Sequence, residues 1–116
     1  KGTPFKAYIK AATYPNHGLI CEQNVDEIKR IFNKKFPEKI AALDRFLSLA
    51  LMTLELVPVP MNEKMAESQI RDVDDRPILR AAIEAKADVL LTGDRDFLES
   101  GVKNPMIMTP TEFVEY

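Results

Sequence analysis

The sequence predicts an α/β sandwich organised around a mostly parallel sheet, and three observations carry that expectation. Short apolar runs such as GLIC (18–21) and DVLLT (88–92) sit between turn-forming residues, as buried strands do. Amphipathic segments with helical spacing separate these runs. No repeat and no low-complexity tract interrupts the alternation.

Each element has a local cause. Thr3-Pro4 ahead of Phe5, Tyr8, Ile9 and Ala12 supplies a cap, a proline in the first helical position and helical spacing, which predicts a helix over 4–13. TYPNHG is a turn cluster, and GLIC then reads as a strand over 18–21. The next helix is expected to open at Asn24, with Glu27 completing a capping box and Val25, Ile28, Ile31 and Phe32 forming the buried stripe. Pro37 is expected to start a longer helix, in which Ile40, Leu43, Phe46, Leu47, Ala50, Leu51 and Leu54 keep the period to about residue 54. ELVPVP reads as a short edge strand, because its prolines cannot donate to a ladder. After an extended linker, Asp74, Asp75 and Pro77 open a helix with a core face of Ile78, Leu79, Ala82 and Ile83. This helix feeds the strand DVLLT. A helical turn over 95–100, a strand over 106–108 (MIM) and a last helix behind the box Thr109-Pro110-Thr111-Glu112 follow.

At 116 residues the chain can bury one core and is too short for two ordinary domains, so a single unit over 1–116 is expected. Its 46% hydrophobic and 29% charged residues are those of a globular protein rather than a disordered or fibrous one. No apolar run approaches the roughly 20 residues of a membrane helix, and no signal-peptide pattern opens the sequence, so the cytoplasm is the expected compartment and no membrane partner is expected. The single cysteine, Cys21, excludes an internal disulfide and a cysteine-rich zinc site, and its apolar surroundings mark a buried structural thiol. The single histidine, His17, excludes paired-histidine catalysis. Hydrolytic chemistry must then run on carboxylates. The net charge of −2 lacks the overall basicity usual in nucleic-acid binders. Basic residues nevertheless gather in KRIFNKKF (Lys29, Arg30, Lys34, Lys35) and around the acidic stretch (Arg71, Arg76, Arg80, Arg95), where most are expected to be solvated helix faces.

Parallel α/β topology places several acids without coordinates, because each helix begins at the edge where the strands end. Glu27 in the first turn after GLIC, Asp75 at the start of the helix before DVLLT, and Asp94 and Asp96 just past that strand all belong to this edge. Each has a structural role when taken singly: Glu27 in a capping box, Asp74 or Asp75 at a helix dipole, Asp94 as the cap of RDFLES. Together they repel one another unless a cation compensates. Oxygen ligands without histidine or cysteine select Mg²⁺ or Mn²⁺, and such an ion polarises a phosphoryl oxygen and activates water for phosphodiester hydrolysis. Thr92 is a candidate for adding a hydroxyl to the site, and Gly93 for allowing a tight turn.

These residues resemble a family. DDRPILRAAIEAKADVLLTGDRDFLESGVKNPMIMTPTEFVEY is similar to the C-terminal half of a PIN domain, in the prokaryotic branch described as toxin components of toxin-antitoxin systems. GLICEQNVDEIKRIF resembles the earlier family segment in which a strand precedes a helix carrying one site acid. The resemblance implies a three-layer α/β/α fold whose acidic pocket binds Mg²⁺ or Mn²⁺ and cuts single-stranded RNA. It implies site roles for Glu27, Asp75, Asp94 and Asp96, with Asp72 and Asp74 beside the matched Asp75. It also implies an antitoxin as partner. Family members open with an apolar strand ending in aspartate, and KGTPFKAYIKAA resembles the helix that follows it. Without that central strand, a neighbouring chain covering the gap or a rearranged sheet is expected, and a homo-oligomer with it.

The expected function is therefore a metal-dependent endoribonuclease, with a non-catalytic PIN-like module for protein or RNA as the alternative. A dehalogenase-like phosphatase would need DVDD to end a strand, and here it opens a helix.

Overall fold

A computed structural model describes residues 2–116. Pro4 starts the first helix, α1 (Thr3–Ala11), which buries Ala7 against Met108 and Phe113. The strand β1 (Leu19–Cys21) follows and passes directly into α2 (Glu22–Lys35). A single 3-10 turn at Pro37–Lys39 leads into α3 (Ile40–Ala50), and the chain returns through β2 (Glu55–Val57). Two further 3-10 segments, Met65–Gln69 and Val73–Asp75, precede α4 (Arg76–Glu84). The strand β3 (Val89–Leu91), the short helix α5 (Arg95–Leu98), β4 (Met106–Met108) and α6 (Pro110–Glu115) complete the fold.

All strand pairings are parallel, as the alternation of strands and helices requires. β1 lies beside β2, with Leu19 opposite Glu55 and Cys21 opposite Val57. β2 ends there because Pro58 removes the next ladder donor. β3 lies beside β4, with Val89 opposite Met106 and Leu91 opposite Met108. Among the described residues the two pairs do not hydrogen-bond to each other, so the strands form two parallel ribbons and not one continuous sheet.

Helix α4 joins the ribbons. Ala81 and Ala85 pack on Cys21 and Val57 of one ribbon, while Leu79 and Ile83 pack with Ile70, Phe97 and Leu90 on the side of the other. Burial on two sides is why this helix is apolar over so much of its circumference. Leu79 and Ile70 are completely buried.

Four expectations need correction. α2 begins at Glu22 with Cys21 as its cap, so Asn24 lies inside the helix, no Asn24–Glu27 capping box forms, and Glu27 falls in the second turn. The early start is held by the Glu22 carboxylate, which accepts from the Val59 backbone N–H at 3.2 Å. α3 stops at Ala50, since the chain must turn to bring the Glu55 N–H to the Gly18 carbonyl at 2.9 Å. Ile31 and Phe46 are exposed rather than core residues, and the Phe46 ring lies against that of Tyr8, 6.1 Å between centroids. Finally, the stretch read as an extended linker contains Met65–Gln69, whose Glu67 is only 4% exposed.

Arg80 of α4 explains that burial. Its Nε and Nη2 donate to the two Glu67 carboxylate oxygens, each at 2.9 Å, and its Nη1 donates to the Pro60 carbonyl at 3.1 Å. The paired guanidinium holds the Glu67 carboxyl below its ordinary value despite burial. Removing one partner strands the other charge. Arg80→Ala is expected to lower the midpoint of urea denaturation at neutral pH, because it strands the buried Glu67 charge; an unchanged midpoint would show that the pair contributes nothing.

Candidate metal centre

The end of β3 is shaped by a relay of short polar bonds. Thr92 extends the β3 ladder by donating its N–H to the Met108 carbonyl at 3.0 Å. Its hydroxyl oxygen accepts from the Asp94 N–H at 3.0 Å, and Asp94 Oδ1 in turn accepts from the Asp96 N–H at 2.9 Å, capping α5. Thr92 is thus occupied in holding the turn. Gly93 needs no special freedom: its backbone lies outside the left-handed region, and a Cβ placed there meets nothing within 4 Å. The hydroxyl and carboxylate bonds set the turn in its place.

Opposite this turn lies the entry to α4. Asp72 Oδ1 accepts from the Asp74 N–H at 3.0 Å and caps the 3-10 turn, and Asp75 occupies the N-cap position of α4. From α2, Gln23 Nε2 donates to the Asp74 carbonyl at 2.9 Å, which fixes α2 against the same turn.

These local bonds bring the acids together. Carboxylate oxygens of Asp72, Asp75 and Asp96 lie within 4.8 Å of one another. The Asp94 carboxylate lies within hydrogen-bonding reach of Asp75, and Glu27 acts on Asp75 by charge alone and more weakly. Asp75 is therefore the centre of the group. Burial first, then the charge of Asp72, the hydrogen bond and charge of Asp94, and the charge of Glu27 push its carboxyl up to about 6. Asp72, a neighbour in the sequence pattern, is a full member of the tight group. Asp74 is exposed and, with Glu27, lines an adjoining cleft of about 1090 Å³ between α2 and the 73–77 segment.

One contact escaped the sequence pattern. Arg71 Nη2 lies 2.9 Å from Asp96 Oδ1 and 3.2 Å from Glu99 Oε1, so one acid of the group already faces an internal cation. Its partner lies beyond α4 and β3, which no local spacing rule reaches. The neighbouring basic residues are likewise engaged: Arg95 pairs with Glu99, Arg80 with Glu67, and Arg76 Nε donates to the Ile70 carbonyl at 2.9 Å.

A family model described as PIN domain matches residues 7–96, most of the chain and every acid of the group. The chain belongs to the PIN domain family. Comparison with curated proteins and with solved structures yields no match. PIN domains generally act on RNA and generally use divalent metals. The donor set of this PIN domain fits such an ion, since hard carboxylate oxygens converge without nitrogen or sulfur ligands and are destabilised by their own repulsion.

Asp75 also fixes the sign of a pH effect. A raised carboxyl pKa stabilises the folded state below the ordinary aspartate value, and that contribution is lost as pH rises through about 6. Asp75→Asn is therefore expected to raise the melting temperature at neutral pH in EDTA, with the gain shrinking on acidification and vanishing near the ordinary aspartate pKa. A gain independent of pH in circular-dichroism melts would count against the convergence of charge on Asp75. Gly93→Ala is expected to melt within a degree or so of the parent, as ordinary surface substitutions do; a large loss would mean the turn is tighter than described.

Proposed function

We propose that this PIN domain is a metal-dependent endoribonuclease that hydrolyses phosphodiester bonds of single-stranded RNA, and that it is the toxin of a toxin-antitoxin pair. The observation that carries the proposal is the meeting of Asp72, Asp75 and Asp96 within 4.8 Å at the ends of elements far apart in sequence. Asp72, Asp75 and Asp96 would hold Mg²⁺ or Mn²⁺, with Asp94 and Glu27 around them. A bound divalent ion supplies Lewis-acid polarisation of the phosphoryl oxygen and a more acidic water.

The chain's own groups do the rest. Asp94 raises the Asp75 carboxyl pKa from across the group, and Thr92 fixes Asp94 by accepting from its backbone N–H. The raised Asp75 carboxyl reflects burial and the charge of its acidic neighbours, a repulsion that a bound divalent ion would relieve. The cytoplasm, an antitoxin partner and self-association extend this proposal. Apolar surface for a partner exists at Phe5 and Ile9 of α1 and at Tyr14, which surround a shallow pocket of about 550 Å³. The two ribbons would form the split middle layer of a three-layer sandwich.

A non-catalytic PIN-like module for protein or RNA is favoured by one observation, the pairing of Asp96 with Arg71. Cleavage of labelled single-stranded RNA in Mn²⁺ separates the two. The intact protein is expected to cut, EDTA to stop it, and Asp94→Asn to slow it by about 100-fold or more, the effect of losing a few kcal/mol at the site. RNA bound but never cut would leave the non-catalytic module standing, and cleavage unchanged in Asp94→Asn would remove this site from the chemistry.

A further inference from the structure

The cleft beside the aspartates has a second wall, on α2, of which the proposed site uses only Glu27. α2 lines it with Glu22, Gln23, Asp26, Glu27, Lys29, Arg30 and Asn33, positions that recur at helical spacing and therefore form one face. The charge on that face changes sign along the helix. Acids occupy the end near Asp75, and within one turn Lys29 and Arg30 follow, then the amide of Asn33.

Lys29 and Arg30 are exposed, and among the described residues neither forms an ion pair or a side-chain hydrogen bond. They differ in this from Arg71, Arg76, Arg80 and Arg95, all of which are engaged within the protein. The rise from Glu27 is about 4.5 Å to Arg30 and about 9 Å to Asn33. That reach matches a backbone running along the cleft, whose successive phosphates would pass from the cations to the aspartate group. Across the cleft stand Val59, Pro77 and Val73, the last 64% exposed, an apolar wall suited to the faces of bases. A cationic groove that tracks the backbone is how single strands are held without reading their sequence.

We infer that Lys29 and Arg30, supported by Asn33, form a phosphate-binding wall that lays a single strand of RNA along the cleft and feeds it to the aspartate group. The inference rests on the nuclease proposal for its biological sense and is tested separately from it. Contacts of this kind go to phosphates, so affinity depends on salt and little on base sequence.

The test is binding of a fluorescein-labelled oligouridylate to the intact protein in Ca²⁺, read by anisotropy over a salt series. Lys29→Ala/Arg30→Ala is expected to weaken binding about tenfold at moderate salt and to reduce the slope of log affinity against log salt by about 1.4, the share of two phosphates on a single strand. A charge-matched control outside the cleft, Arg45→Ala/Lys103→Ala, is expected to change neither, and melting curves establish that both variants fold. Wild-type affinity and slope in the cleft variant, an equal loss in the control, or no binding by the parent protein would each overturn the wall. Failure of the nuclease proposal has a different signature: no Mn²⁺-dependent cleavage by the parent, or cleavage untouched by Asp94→Asn, with the binding loss of the cleft variant still present.

Discussion

The grip of Arg80 on Glu67 governs where the chain can run between β2 and α4. A charge that is 4% exposed is tolerated only when its lone pairs are met, and here the backbone N–H of Lys64 joins the guanidinium in meeting them. Arg80 also holds the Pro60 carbonyl, so the segment is tied to α4 at two places. Ile70 then enters the core beside Leu79 and Phe97. The next residues, up to Asp75, have little freedom left, and they emerge opposite the end of β3. The acidic group is a consequence of how this segment is anchored as much as of where its acids lie in the sequence.

Once assembled, the group must manage its own repulsion. Asp75 does so by holding its proton to higher pH, and Asp96 by pairing with Arg71. Arg71 is largely exposed to water and Asp96 partly so, and ion pairs open to solvent contribute about 0–1 kcal/mol. A divalent ion with several carboxylates to bind can therefore compete for Asp96. The internal cation makes the metal-free group tolerable without closing it.

Much of this was legible in the sequence because it follows from short-range pattern. GLIC, DVLLT and MIM contain the strands, and the face of Ile78, Leu79, Ala82 and Ile83 marks the helix that carries the core. The Thr109–Glu112 box forms as its spacing requires, at 3.1 and 2.8 Å. Strand-to-helix topology was enough to place Asp75 and Asp94 near one another. What stayed hidden depends on partners distant in sequence. Nothing about Glu67 distinguishes it from a solvated linker residue until Arg80 is beside it, and Asn24-x-x-Glu27 satisfies a capping pattern that an earlier helix start pre-empts. Phe46 keeps perfect helical period, yet its side of α3 faces outward, since periodicity reports a face and not what covers it.

The two ribbons share no backbone ladder, so the molecule is clasped mainly through α1 and α4. Glu27 and the cations of α2 ride with one lobe, the aspartates beyond β3 with the other. Side-chain packing and the Gln23 bond set the spacing between lobes, and packing yields more readily than a row of backbone bonds. The α2 wall and the aspartates are therefore held at their spacing by side chains and not by a continuous ladder.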